Sequence, residues 1–245
     1  MHRSGTSAIT RGLAALGVYL GNDFLDAQPE NPTGYWEDRG IVDLNERLLK
    51  ALGLRWDSDA PVIPGTLESW RLWRLRRAAI SYVKRAFAAH PLWGFKDPRT
   101  IRVLPFWLRV LRACNVDDRY LLAIRNPRSV AASLFARQAM DETAAYRLWL
   151  AHTEPFLHLL AGKPLVVVDY DLFVQEPRAQ LARISQALSL APLEGARSHE
   201  VDRFVEEFLD EGLRHSRFTA DDIASATPEA RAARDAYLAL LARAS

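Results

Sequence analysis

At 245 residues the chain is long enough to bury a substantial core, and one α/β domain is the expectation for that length. Its 32 basic and 30 acidic side chains leave a formal charge of +2, too even for a general nucleic-acid binder, and a hydrophobic share of 49% argues against overall disorder. One cysteine, Cys114, excludes an internal disulfide and a cysteine-rich metal site, and no apolar run approaches the roughly 20 residues of a membrane span.

The chain starts with MHRSGTS, a turn of the kind that holds anions. Successive backbone N–H groups can point inward there, and the helix that follows adds its positive end. Gly5 permits close approach, Thr6 and Ser7 supply hydroxyls, and Arg3 supplies charge. An ordinary serine/threonine-capped helix start is the bland alternative. Such a turn normally follows a buried strand, yet only Met1 precedes His2–Ser7 in this sequence. Residues 8–17 then read as a helix carrying Ile9, Leu13 and Leu16. QPENPTGYWED (28–38) is rich in turn formers and reads as a loop. Ile41, Leu44, Leu48 and Leu52 share one helical face, with Gly53 ending the helix. Residues 57–66 form a second loop, followed by a long basic helix over about 67–90.

LWGF is expected to be a short apolar strand leading into the turn KDPR, and Pro105 to open the next helix. RYLLAI (119–124) and PLVVVDY (164–170) have the composition of buried parallel strands. Each leads to a helix, about 127–138 and 177–189, and this alternation argues a parallel sheet covered by helices. From about 196 the chain reads as polar and helical, ending in a helix near 228–243. There is no internal repeat and no signal-peptide layout, so the cytoplasm is the default compartment.

Two further turns carry chemistry. In AIRNPRSVAAS, Arg125 ends a strand, Asn126 is a good N-cap and Pro127 suits the first helical position. Arg125, Asn126, Ser129 and Ser133 could converge on one anion at that helix N-terminus. Simple pairing of the arginines with carboxylates remains open. Lys96 ends the predicted strand before KDPR, where parallel sheets usually face their ligand crevice. The other reading pairs it with Asp97.

Taken in order, HRSGTS, KDPR and RNPRSVAAS resemble the sulfotransferases that use 3'-phosphoadenosine-5'-phosphosulfate. The likeness is closest to bacterial carbohydrate-type members and more distant to tyrosylprotein sulfotransferases. It spans about residues 1–190 of what reads as one domain over 1–245, with 191–245 as a helical C-terminal extension. The resemblance implies an α/β, P-loop-like three-layer fold: a central parallel sheet flanked by helices. The related loops follow a hydrophobic strand ending in glycine, so the first strand is missing here and is expected upstream of Met1.

The resemblance also implies roles. Arg3, Ser4, Gly5, Thr6 and Ser7 would hold the 5'-phosphosulfate; Arg125 and Ser133, eight residues apart, the 3'-phosphate. Lys96, with Arg3, would act on the transferred group. No histidine lies in FKDPRT, so the general base is expected to be Glu37, as in tyrosylprotein members, with Asp38 the competitor. The family's glycine-rich C-terminal nucleotide loop is not evident, and LRHSR (213–217) could approach the nucleotide instead.

The expected reaction is an in-line transfer of a sulfuryl group to a hydroxyl or amine of a small-molecule or glycan acceptor. No metal is expected, because side-chain cations supply the charge. One rival is a nucleotide kinase, but threonine stands at position 6 where the ATP-binding loop has lysine. The other is a non-catalytic binder of phosphorylated or sulfated ligands.

Other features read more plainly. SWRLWRLRRAAISYVKR predicts a solvated basic helix face with its tryptophans tucked inward, or else a rim for an anionic acceptor or peripheral membrane contact. His152 and His158 are expected to be packing residues on an amphipathic helix. Asp169 and Asp171 are expected to shape a turn or cap.

Overall fold

The computed structural model describes residues 1–28, 31, 33–207, 218–223 and 227–244. It is a mixed α/β chain whose sheet has two parallel strands, β1 (Tyr120–Ile124) and β2 (Leu165–Asp169), paired from Tyr120 opposite Leu165 to Ile124 opposite Asp169. Helices cover both faces. Val166 and Val168 pack with α1 (Thr6–Ala15), α9 (Pro177–Ala187) and α10 (Ala196–Glu207). Leu122, Ile124 and Val167 pack with α6 (Pro127–Gln138), α7 (Glu142–Ala151) and α11 (Pro228–Leu241). The alternation of Val166, Val167 and Val168 between two cores follows from the two-residue repeat of a strand.

A third core joins α2 (Arg39–Ala51), α4 (Trp73–Ala86) and α5 (Leu104–Ala113) around Phe87, Phe106 and Trp107. The leucine face expected after the second turn is α2, with Ile41, Leu44 and Leu48 buried. Asp38 caps it by accepting from the Ile41 N–H at 3.0 Å, and Gly53 ends it at φ 71°. A buried polar chain locks this core to the KDPR turn. Trp107 Nε1 donates to Asn45 Oδ1 (2.7 Å), and Asn45 Nδ2 donates to Asp97 Oδ2 (2.9 Å).

Three expectations are corrected. The basic helix expected over 67–90 is broken into α3 (Pro64–Glu68), a 3-10 turn (Trp70–Leu72) and α4, which ends at Ala86. Ser69 is the cause: its backbone is extended and its hydroxyl accepts from the Arg71 N–H, starting a new turn. The tryptophans there face outward, Trp70 76% and Trp73 42% exposed, because Leu72, Ala79 and Val83 take the inward face. Arg74 and Arg77 stack over the Trp73 ring at 5.5 and 5.7 Å. LWGF forms a single parallel bridge, Trp93 to Tyr19, in place of a strand. The remaining helix, α8 (Tyr170–Gln175), starts directly from β2 and was not expected. No helix among the described residues is long and apolar enough to cross a membrane.

Candidate transfer site at the start of the first helix

The opening turn is built as an αL turn on both sides of Ser4, with Arg3 at φ 63° and Gly5 at φ 66°. Gly5 is required twice over. Its φ disfavours any side chain, and a Cβ there would lie 1.8 Å from Cδ2 of Tyr170. The Tyr170 ring therefore lies flush against the turn, and the Arg125 guanidinium sits 4.9 Å above that ring. Ser4 is fully buried and its hydroxyl has no hydrogen-bond partner.

Two clusters flank the turn. On one side Arg3 Nε donates to Ser133 Oγ at 2.8 Å, and Arg125 Nη1 reaches the Arg3 carbonyl at 3.4 Å. The Arg125 carbonyl is held by Trp149 Nε1 at 3.1 Å, fixing the end of β1. Ser129, in the first turn of α6, is buried and its hydroxyl also lacks a partner. On the other side Lys96 Nζ donates to Glu37 Oε1 (2.8 Å), to the Tyr35 carbonyl (2.7 Å) and to Ser7 Oγ (3.4 Å). Arg99 Nη1 approaches the other Glu37 oxygen at 3.5 Å while pairing with Asp97 at 2.7 Å and, through Nε, with Glu46 at 2.6 Å. Burial pushes the Lys96 ammonium below its ordinary pKa, and the facing Glu37 carboxylate partly offsets this.

Thus Arg3, Ser7, Glu37, Lys96, Arg125 and Ser133 are gathered around one turn although 130 residues separate Arg3 from Ser133. Lys96 pairs with Glu37; Asp97 is committed to Arg99 and Asn45. Asp38 faces away into its capping role and accepts from Tyr82 Oη at 2.6 Å. That separates the two carboxylates, leaving Glu37 alone beside Lys96. Thr6 begins α1, its carbonyl accepting from Thr10 Oγ1 at 2.7 Å. Asn126 caps α6 as expected, but its amide is spent on the carbonyls of Phe218 and Thr219 (3.0 and 2.8 Å), which turns it away from a shared anion. Residues 213–217 lie outside the described residues.

Sequence reasoning missed two participants. Arg99 lies inside KDPR, and its proximity to Lys96 was the available signal. Tyr170 had none, since its contact with Gly5 spans the whole core. Beside Glu37 opens a cavity of about 380 Å³ lined by His2, Tyr35, Trp56, Arg99 and Arg137. His152 packs as expected, buried against the His2 ring at 6.0 Å, whereas His158 stands exposed on a 3-10 turn (Leu157–Leu160). The exposure follows from that turn, whose inward residue is Leu160. Asp169 caps α8 by accepting from the N–H groups of Asp171 and Leu172. No protein-family model matches the chain, and neither a curated protein nor a solved structure does.

Proposed function

We propose that the chain is a sulfotransferase moving the sulfuryl group of 3'-phosphoadenosine-5'-phosphosulfate to a hydroxyl or amine acceptor, on a P-loop-like three-layer fold. The observation that carries this reading is the Lys96–Glu37 pair, 2.8 Å apart and within 3.4 Å of Ser7 at the start of α1. A cation for the leaving oxygen and a carboxylate for the acceptor proton thereby stand side by side at an anion-binding turn. Arg125, Arg3 and Ser133 supply a second anion-binding subsite on the far side of the turn, as two separate phosphates of one donor require. The buried hydroxyls of Ser4 and Ser129 fit the same donor, because each lacks an acceptor that a phosphate oxygen would provide.

In this reading Lys96 changes partners during turnover. Without donor it neutralises Glu37; with donor its ammonium turns to the sulfuryl and bridging oxygens. Glu37, released from Lys96 but still near Arg99, then accepts the acceptor proton. The acceptor enters through the cavity beside Glu37, and the aromatic rings of Tyr35 and Trp56 suit a sugar or other ring-bearing alcohol. Calorimetry with adenosine 3',5'-bisphosphate tests the donor site: saturable binding without magnesium is expected. Binding of magnesium–ATP in its place would favour a phosphotransferase.

A further inference from the structure

The break at Ser69 leaves an uncovered face at the start of α4. Trp70 and Trp73 stand three residues apart across the 3-10 turn, a spacing at which side chains eclipse, so both indoles project on one side. From Trp73 the same face runs along α4 through Arg77, Ser81 and Lys84, over about 16 Å. Arg77, Ile80, Ser81, Lys84 and Arg85 line a shallow depression of about 520 Å³ there.

This face is cationic and lacks counter-charges. Arg71, Arg74, Arg77, Lys84 and Arg85 are all exposed, and among the described residues none of them pairs with a carboxylate. Glu68, just before the break, is held by Arg109 at 2.8 Å. From Ser69 to Lys96 the sequence contains no Asp, Glu, Asn or Gln, in a chain whose overall charge is only +2. Cations and rings are also joined, since the Arg74 and Arg77 guanidinium groups lie over the Trp73 ring.

We infer that this face docks the protein on an anionic phospholipid bilayer, with α4 lying along the surface. The cations meet the lipid phosphates, and the indoles of Trp70 and Trp73 enter the boundary between headgroups and acyl chains, where tryptophan is favoured. Stacked on Trp73, Arg74 and Arg77 reach the same depth as the ring. A second copy of the face is repelled by its like charge. A glycan would need carboxylates or side-chain amides for its hydroxyls, and the stretch has neither. The Ser81 hydroxyl already accepts from Arg85 Nη1 at 3.1 Å.

The test is cosedimentation at about 0.1 M salt with vesicles of one part phosphatidylglycerol to two parts phosphatidylcholine, against vesicles of phosphatidylcholine alone. Binding to the mixed vesicles is expected, and at least about tenfold weaker binding to the neutral ones. Arg77→Gln and Lys84→Gln should each weaken it about fivefold, the equivalent of about 1 kcal/mol per basic residue near a charged surface. Lipids brominated near the headgroup should quench the tryptophan fluorescence, and Trp70→Ser with Trp73→Ser should remove that quenching and weaken binding severalfold. All four side chains are exposed, so the variants keep the fold. No binding to the mixed vesicles, equal binding to both kinds, or unchanged affinity in the charge variants would overturn the inference. So would quenching that survives the double tryptophan variant. Binding to dextran sulfate without binding to vesicles would assign the face to an anionic polymer and overturn it as well. No readout involves donor or acceptor, so the outcome is independent of sulfuryl transfer.

Discussion

Removing the Lys96 charge separates the site's chemistry from its packing. The Glu37 side chain is 6% exposed and Lys96 13%, so the pair is desolvated. Breaking a buried pair from one side costs about 3–5 kcal/mol when the remaining charge is left alone. Glu37 keeps Arg99 at 3.5 Å, which brings Lys96→Met to or just below the bottom of that range, about 2–3 kcal/mol. Glu37→Gln should cost about 2 kcal/mol, because it strands the ammonium instead. Lys96→Met with Glu37→Gln removes both charges and should return to within about 1 kcal/mol of the unaltered chain. The cycle then gives a coupling of about 3–5 kcal/mol, read by urea denaturation of the four chains at pH 7. All three variants should nonetheless lose turnover on the order of 10²–10³-fold. A stable but inactive double variant is the signature of a pair retained for chemistry. Additive stabilities, within about 0.5 kcal/mol, would refute the reasoning by showing that the two side chains do not face each other.

Arg125→Ala should weaken adenosine 3',5'-bisphosphate binding by about 1–3 kcal/mol, as for a charge-assisted bond, measured by calorimetry; unchanged affinity would remove Arg125 from the nucleotide site. Gly5→Ala must adopt a left-handed backbone and displace the Tyr170 ring, so a loss of about 2–4 kcal/mol in chemical denaturation is expected. Acid should destabilise the fold from near neutrality. His2 and His152 are held neutral by burial, well below the usual 6.5, with Arg99 near both rings, Lys96 near His2 and Arg102 near His152. The unfolded chain takes up those protons as pH falls through 6.5 while the folded chain does not. The histidines' contribution to stability is therefore full above that value and declines below it, by about 1.4 kcal/mol per pH unit for each histidine. His152→Gln should flatten the decline by one such share in denaturation series from pH 7.5 to 5.

What could be read along the chain was what depends on near neighbours. The α2 face, its Asp38 cap and its Gly53 stop lie within one short window, and β1 and β2 are each a single apolar run. The break at Ser69 escaped because one hydroxyl on the Arg71 N–H outweighed the helical pattern around it. LWGF has strand composition but makes only one bridge, since pairing depends on what lies beside it. Trp70 and Trp73 face outward because that break resets which residues point inward. For the site, each turn was visible locally, but no spacing rule joins Lys96 to Glu37 across 59 residues. The family resemblance supplied that grouping, and the fold supplies its distances. Arg99 and Tyr170 act through contacts that exist only once the chain has folded.

The most direct test of the transferase reading is transfer of a radiolabelled sulfuryl group from 3'-phosphoadenosine-5'-phosphosulfate to a panel of hydroxyl and amine acceptors. Labelled product from at least one acceptor is predicted, reduced on the order of 10²–10³-fold by Lys96→Ala. Bound donor with no transfer to any acceptor, or transfer that Lys96→Ala leaves unchanged, would contradict it.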